Sequence, residues 1–431
     1  RAGLGFHKKK KFYQALEIYL KLLDEKKNDS KLLYLIGTCY LQISRPDIAI
    51  SYLEKTIQLD KDNIAAYNNL GGAFFQINKF EKSLEIYQKI LKLSPKNNII
   101  KNNIGNCYAE LKKLDQALRI YKDITKEEKE NFVTYNNIGN IYKILNNYSL
   151  AISNYNKSIE INKNYFLAYK NLGELFFKMG KYQEALKMLK KTNEIVPNYK
   201  DVVSKILHTK MKICEWDEYN DLKSKIIESI NYGESIDPLI ILNLIDNLKI
   251  QKKATENFIK KNFYNYNISK LKNKKIIKKP KVGYYSSDFK NHAVLHLILD
   301  IFKEQDNTKF DFYAFSLEKS KEDEWNKDLK KYFTDFIFIN DISDKEVSDL
   351  SRKIGIDIAI DLNGHTEGSR PGIFLNRCAP IQINFLGYPG TTGASFMDYI
   401  IADKIVIPKN KQNEYSEKVI YLENCYQSNT H

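Results

Sequence analysis

The feature that most restricts the possible folds is a glycine that recurs every 34 residues through the first half of the chain. These glycines are Gly3, Gly37, Gly71, Gly105, Gly139 and Gly173. A small residue follows each glycine by twelve positions: Ala15, Ala49, Ser83, Ala117, Ala151 and Ala185. Agreement at both positions in all six units indicates a repeat whose members stack on one another.

A period of 34 residues is that of the tetratricopeptide repeat, in which each unit is a pair of helices. Small residues let helices cross closely, and the aromatic residue three positions after each glycine is predicted to fill the space between neighbouring pairs. The sequence therefore predicts an α-helical solenoid over residues 1–200. Helical patterns at 201–247 are predicted to cap its last apolar face.

Asparagines form a second ladder with the same spacing. Asn69, Asn103, Asn137 and Asn171 each stand two positions before a glycine. Such a solenoid exposes one helix of each pair on its concave face, and an amide side chain both donates and accepts hydrogen bonds. A row of amides can bind the backbone of an extended peptide whatever its sequence, so we predict a peptide-binding groove. The alternative is that an Asn-rich chain places asparagines there without a function.

The net charge of +15 is unevenly distributed along the chain. Residues 281–431 hold 18 Lys and Arg against 23 Asp and Glu, so the positive excess lies before them. Residues 248–280 hold 11 Lys and one acidic residue, Glu256. We interpret this segment as a solvated basic linker, with binding of nucleic acid as the less favoured alternative.

Other sequence signals bear on location and cofactors. No apolar run approaches the roughly 20 residues of a membrane-spanning helix, and no signal peptide is recognisable. The five cysteines are scattered, which predicts neither disulfides nor a zinc site and favours a cytoplasmic protein. The absence of nucleotide-binding glycine motifs and of paired carboxylates gives no support to metal-dependent handling of a nucleotide.

From residue 281 the pattern changes. Short apolar or aromatic runs such as "KVGYYSS" and "IDIAIDL" alternate with amphipathic stretches such as "DKEVSDLSRKIG". Strands rich in Ile, Val, Tyr and Phe that alternate with helices predict a mostly parallel sheet covered on both faces. Residues 281–431 are therefore predicted to form a Rossmann-like α/β lobe, with ligands bound beyond the carboxyl ends of its strands.

Polar loops follow three of the predicted strands and are expected to meet at that edge. They span residues 286–296, 361–370 and 386–393. His292 precedes an apolar helix, where it could act as a base or be satisfied by local backbone. Asp361 ends a buried strand, and Asn363, His365 and Thr366 follow at a density that a structural turn does not require. In the third loop, "GYPGTTG" offers glycines and threonines for close approach to a ligand.

The whole chain resembles the family of protein O-linked N-acetylglucosamine transferases, particularly its bacterial members. The resemblance rests on the asparagine ladder and on "CEWDEY", "KVGYYSSDFKNHAVLH", "DLNGHTEGSRPGIFLNRCAPIQINFLGYPGTTGASFMDYIIAD" and "YSEKVIYLENCYQ". It implies a two-lobed catalytic region of the GT-B type, with UDP-N-acetylglucosamine between the lobes and peptide acceptors threading in from the solenoid groove. It also implies inverting transfer to Ser or Thr hydroxyls without a metal or other cofactor.

Within this resemblance, His292 matches the active-site histidine of the SSDFxNH motif, and Asp361 is a second catalytic candidate. Asn363, Thr366 and Pro389 fall in segments near the sugar and the acceptor. Some members of the family carry Tyr at the position of His365, whereas the related Spindly-type protein O-fucosyltransferases carry His. Because the second lobe of this family mainly decides the donor, transfer of fucose or another sugar is an alternative. A non-catalytic peptide-binding adaptor is a further alternative.

The resemblance also implies a second lobe, which in this family supplies most of the uridine contacts. The sequence reaches its last residue near the end of the first lobe. We therefore expect that residues 1–431 alone do not turn over a nucleotide sugar.

Overall fold

A computed structural model describes residues 2–199, 201–263, 279–318 and 328–427. The chain divides into two compact units, Arg1–Leu175 and Phe176–His431.

The first unit consists of consecutive helices arranged in pairs, as the 34-residue period predicts. Its helices are α1 (Ala2–Lys8), α2 (Phe12–Glu25), α3 (Ser30–Gln42), α4 (Pro46–Leu59), α5 (Ile64–Gln76), α6 (Phe80–Leu93), α7 (Asn98–Glu110), α8 (Leu114–Glu127), α9 (Phe132–Ile144), α10 (Tyr148–Ile161) and α11 (Phe166–Lys178). Several of them begin at an asparagine whose side chain accepts a backbone N–H three residues on: Asn63, Asn97 and Asn131. These caps satisfy donors that the first helical turn leaves unpaired.

The recurring glycine permits a close contact within each helix pair. A Cβ atom at Gly105 would lie 2.4 Å from Cε1 of Tyr121, a buried ring on the next helix. The same relation holds between Gly71 and Tyr87 and between Gly139 and Tyr155, at 2.8 and 2.6 Å. In each of these helix pairs, the aromatic ring sixteen positions after the glycine packs against that glycine. The 34-residue signature therefore reflects this contact.

The second unit opens with helices that precede the sheet. They are α12 (Tyr182–Ile195), α13 (Val202–Lys212), α14 (Tyr219–Asn231), α15 (Pro238–Leu244) and α16 (Leu248–Asn262). Buried apolar residues of α13 to α16, among them Leu207, Ile230 and Ile241, share one core. The segment predicted to cap the solenoid is therefore helical.

Helix α16 corrects the prediction of a solvated linker over residues 248–280. Its first residues are ordered by Asn247, whose side chain accepts the backbone N–H of Ile250 at 3.2 Å. Ala254 is buried, and Ile250 and Phe258 are half-buried at helical spacing from it. The sequence analysis missed this narrow apolar stripe because lysines occupy the other faces of the helix and dominate its composition. Residues 264–278 of the predicted linker lie outside the described residues.

Among the described residues, the sheet has seven parallel strands in the order β3-β2-β1-β4-β5-β6-β7. The strands are β1 (Lys281–Ser286), β2 (Asp311–Ser316), β3 (Asp335–Phe338), β4 (Ile358–Asp361), β5 (Ile381–Asn384), β6 (Tyr399–Ala402) and β7 (Lys418–Tyr421). The elements between them include α17 (Ala293–Lys303), α18 (Asp344–Ile354), α19 (Pro371–Leu375) and a 3-10 helix (Lys409–Glu414). The predicted parallel α/β lobe is confirmed.

Both faces of the sheet are covered by apolar side chains. Tyr284 belongs to a core on one face, with Phe302 and Ile360. Tyr285, the next residue of β1, belongs to a core on the other face, with Phe315 and Phe374. Burial on both faces explains the near-continuous apolar runs in the strands.

The strand order reverses between β1 and β4. The chain proceeds from β1 outward to β2 and β3 and then returns to β4 on the opposite side of β1. At such a switch point the loops after the two strands diverge and leave a crevice at the carboxyl edge of the sheet. Within the parts of the chain that the structure describes, every helix is too short or too polar to cross a lipid bilayer.

Candidate active site

Asn363 joins the loops that follow β1 and β4 at the switch point. Its side chain is completely buried. Oδ1 accepts the backbone N–H of Ser287 at 2.9 Å, while Nδ2 lies 2.8 Å from Oγ of Ser287 and 2.9 Å from Oδ2 of Asp288. Nδ2 also lies 3.1 Å from Oγ1 of Thr366. One amide therefore holds the two loops together, which places Asn363 and Thr366 beside the β1 loop as predicted.

His292 caps the N-terminus of α17 in the loop after β1. Its Nδ1 accepts the backbone N–H of Val294 at 3.3 Å and lies 3.7 Å from Oδ1 of Asp288. The side chain is 43% exposed, so the ring is accessible to a ligand. Because the other oxygen of Asp288 accepts from Asn363, the three residues form a chain from the β4 loop to His292. Asp288 was missed by the sequence analysis, although it stands in the same motif as His292.

Asp361 is 5% exposed and lies at the last position of β4. Its Oδ1 accepts the backbone N–H of Asn363 at 2.9 Å. Burial raises the pKa of its carboxyl group to about 7, although bonds from the backbone of Asn363 and Gly364 act in the opposite direction. The carboxyl group of Asp361 therefore caps the turn that carries Asn363. The carboxylate beside His292 is that of Asp288.

His365 links the β4 loop to the loop after β5. Its Nε2 lies 2.8 Å from the carbonyl oxygen of Thr392, so Nε2 carries the proton and donates it. The ring packs edge-on against Phe258 of α16 and Tyr388, with centroids 5.4 and 5.2 Å away. Burial lowers the pKa of His365, which keeps the imidazole neutral.

Glu417 fixes the loop after β5, and the sequence analysis missed it because a lone glutamate before a strand carries no pattern. It is buried and accepts from Oγ1 of Thr391 at 2.8 Å, from the backbone N–H of Thr392 at 2.7 Å and from the Thr392 hydroxyl. The prediction for this loop was a close approach of a ligand to its backbone, and the hydroxyls of its two threonines bind this carboxylate. Pro389 of the same loop is exposed, and its carbonyl accepts from the Tyr415 hydroxyl at 3.3 Å.

The ladder asparagines are half-buried, and each binds the preceding repeat. In every case Nδ2 contacts a side chain 35 positions earlier: Asn69 contacts Tyr34 at 3.4 Å, Asn103 contacts Asn68 at 3.5 Å, Asn137 contacts Asn102 at 3.0 Å and Asn171 contacts Asn136 at 2.9 Å. The ladder therefore connects neighbouring repeats. Its role in binding peptides stays a prediction.

Comparison with known proteins finds matches in both parts of the chain. Residues 241–431 match the family described as Glycosyl transferase family 41. Residues 34–98, 68–129, 139–180 and 168–199 match descriptions of the tetratricopeptide repeat.

Two relatives carry names that agree with the first match. A probable UDP-N-acetylglucosamine–peptide N-acetylglucosaminyltransferase of Arabidopsis thaliana is 34% identical over 149 residues, which cover 35% of this chain. A UDP-N-acetylglucosamine–peptide N-acetylglucosaminyltransferase of Caenorhabditis elegans is 35% identical over 147 residues, which cover 34% of this chain. The chain spans only 15% and 13% of the lengths of these curated relatives.

Among solved structures, an O-GlcNAc transferase mutant of Thermobaculum terrenum is 17% identical, with a TM-score of 0.47. The alignment covers 84% of this chain and 58% of that chain. The family matches agree with the resemblance expected from the sequence. Residues 241–431 of this chain therefore match glycosyl transferase family 41, and segments between residues 34 and 199 match the tetratricopeptide repeat.

Proposed function

We propose that this chain is part of an enzyme that transfers N-acetylglucosamine from UDP-N-acetylglucosamine to Ser or Thr hydroxyls of polypeptides. The family 41 domain and the names of the two relatives support this proposal. The observation that carries the proposal is the series of side-chain contacts from Asn363 through Asp288 to His292 at the switch point of the sheet. A sheet of this type binds its ligands in the crevice at that point.

The reaction requires a base near the Ser or Thr hydroxyl that receives the sugar. As the hydroxyl oxygen attacks the anomeric carbon, its proton must leave and the nucleoside diphosphate departs with the bonding electrons. His292 is the proposed acceptor, through Nε2. A neutral imidazole whose Nδ1 accepts from Val294 carries its proton on Nε2 and cannot take another there.

The base role therefore requires the other tautomer of His292. In that tautomer, Nδ1 no longer accepts the N–H of Val294. It carries the proton and donates a hydrogen bond to Asp288, whose Oδ1 lies 3.7 Å away. Nε2 then has a free lone pair for the acceptor proton, as in other histidine–carboxylate pairs. Asn363 contributes by holding Asp288 in place through its bond to Oδ2.

The remaining site residues are proposed to bind substrates. Thr366 is half-buried and Pro389 is exposed, so both are accessible to the sugar or the acceptor. In the repeats, Asn69, Asn103, Asn137 and Asn171 are proposed to bind an extended acceptor peptide. Because their Nδ2 atoms already contact the preceding repeat, Oδ1 is the atom proposed to accept N–H groups of the peptide backbone.

The test is label transfer from UDP-N-acetylglucosamine to a Ser/Thr peptide. The resemblance implies a second lobe with most of the uridine contacts, so turnover is measured on a protein with both lobes and peptide binding on residues 1–431. We expect His292→Ala to lower turnover by roughly 100-fold while peptide binding persists. His296→Ala, one turn further along α17, is the matched control.

The outcomes separate the alternatives. Wild-type turnover in His292→Ala would reject His292 as the base and favour the donor phosphate or a water relay. Transfer of another sugar in place of N-acetylglucosamine would reject the proposed donor. Peptide binding without transfer from any nucleotide sugar would identify an adaptor. Turnover that a chelator abolishes would contradict the prediction that no metal is needed.

A further inference from the structure

Asn384, the last residue of β5, has a buried amide with one unpaired end. Nδ2 donates to the carbonyl oxygen of Tyr388 at 3.0 Å. Since that carbonyl can only accept, the bond fixes which end of the amide is the oxygen. Oδ1 is buried and has no hydrogen-bond partner among the described residues. A buried amide oxygen of this kind requires a donor.

The carboxyl group of Asp361 lies beside this oxygen in the fold. Asp361 and Asn384 are paired in the register of β4 and β5, so their side chains leave the sheet on the same face. Both side chains also converge on Gly364. The carboxyl group of Asp361 accepts from its backbone, and a Cβ atom there would lie 3.1 Å from Oδ1 of Asn384.

We propose that the carboxyl group of Asp361 is protonated in the folded protein and donates its proton to Oδ1 of Asn384. The pair ties the turn that holds Asn363 and Thr366 to the loop that holds Tyr388 and Pro389. Asp361 is then a positioning residue for the proposed active site and does not act as a base. The hydrogen bond itself does not depend on the proposed function. Only its importance for catalysis rests on that function.

The surroundings of Asp361 favour the neutral form. Burial is the largest cause of the raised pKa of Asp361, and no charged side chain of the described residues contributes to it. Tyr285 of β1 and the Cys378 thiol after α19 lie on the same face, and burial raises the pKa of both, to about 12 for Cys378. On the flanking loops, burial raises the pKa of Tyr388 and lowers that of His365. These neighbours are all neutral at pH 7, so none stabilises a carboxylate.

Asp403 provides a matched control at the end of another strand. It follows β6 and is also 5% exposed. Its carboxylate accepts backbone N–H groups of Ile405, Val406 and Tyr426 at 2.8, 2.7 and 2.7 Å. These bonds lower the pKa of Asp403, so it serves as a charged cap.

The experiment follows the ¹³C signal of the Asp361 carboxyl group against pH, assigned by its loss in Asp361→Asn. We expect a titration midpoint at or above pH 7, because burial alone raises the pKa of this group to about 7 and donation to Asn384 raises it further. Asp361→Asn should stay folded, because its amide can donate to Asn384 as the acid does. Asp403→Asn should lower the urea midpoint at pH 7, because a charged acceptor is lost.

Unfolding against pH gives a second measurement. The raised pKa of Asp361 means that the unfolded chain loses this proton near pH 4 while the folded protein keeps it to about pH 7. The wild type should therefore lose stability relative to Asp361→Asn as pH rises through this window, by up to about tenfold in the unfolding constant per pH unit.

Three further outcomes decide the proposal. Asn384→Ala removes the acceptor and should lower the titration midpoint of Asp361; an unchanged midpoint would overturn the pairing with Asn384. A wild-type midpoint near 4, or an Asp361→Asn protein as unstable at pH 5 as Asp403→Asn is at pH 7, would overturn the neutral donor. None of these measurements uses turnover, so the proposed function can fail or stand independently.

Discussion

Asparagine side chains connect neighbouring segments in both units of the molecule, but in opposite ways. In the repeats, a half-buried ladder amide contacts a residue 35 positions earlier, and the contact recurs four times. In the α/β lobe, the one side chain of Asn363 contacts Ser287, Asp288 and Thr366, and it is completely buried. Repeated contacts share a structural task, whereas a single buried contact cannot be replaced by a neighbour.

The largest effect is therefore expected for Asn363→Ala. This change leaves the backbone N–H of Ser287 and the side chain of Asp288 without their partner in a buried site. We expect a loss of about 3 kcal/mol in the free energy of unfolding of the second unit, measured by urea denaturation. Asn376→Ala, which loses one half-buried bond to the Gly372 carbonyl, is the control. A loss below about 1 kcal/mol for Asn363→Ala would contradict the assigned role of this residue.

Within the repeats, two adjacent glycines offer the next test. A Cβ atom at Gly71 would lie 2.8 Å from the Tyr87 ring, whereas one at Gly72 would meet only the Tyr87 hydroxyl at 3.7 Å. Gly71→Ala should destabilise the first unit by about 1–3 kcal/mol because the ring must move. Gly72→Ala should stabilise it by about 0.5–1 kcal/mol through helix propensity. Thermal unfolding of both variants that shifted in the same direction would refute the packing role of the recurring glycine.

A smaller effect is expected for Asn137→Ala in the ladder. Its Nδ2 contacts Asn102 at 3.0 Å and Asn106 at 3.1 Å, but the site is half-buried and water can replace these bonds. We expect a loss of about 1 kcal/mol, measured by urea denaturation of the first unit. Asn103→Ala, which loses a contact of 3.5 Å, should cost less. A loss as large as that of Asn363→Ala would remove the contrast between the two units.

The same contrast explains what the sequence could predict. The repeats and the seven strands rest on spacings that recur along the chain, so a single sequence shows them. The contacts of Glu417 with Thr391 and Thr392 join residues about 25 positions apart with no repeated spacing. The position of Asn363 after a strand marked it only as one of several clustered polar residues, and the family resemblance implied that it lies near the sugar and the acceptor. Its buried bonds to the β1 loop depend on strand order, which local patterns do not specify.

Helix α16 and Asn384 illustrate two further limits. The apolar positions of α16 are few and separated by lysines, so composition suggested a linker. The pairing of Asn384 with Asp361 depends on the register between β4 and β5. A register is set by the packing of both sheet faces, and it cannot be derived from either strand alone.

The smallest expected effect is a change in the pH dependence of stability caused by His365. Burial lowers its pKa below the ordinary 6.5, so on acidification the unfolded chain takes up a proton before the folded protein does. Stability should therefore fall as pH drops below about 6.5, and this part of the slope should be absent in His365→Gln, whose amide can still donate to Thr392. Urea midpoints between pH 5 and 7.5 measure the difference. Asp361→Asn is the internal control, because its raised pKa predicts a slope of opposite sign in wild type. If both variants changed the slope in the same direction, burial would not be the common cause of the two shifts, and the link between the β4 and β5 loops through these neutral groups would have to be abandoned.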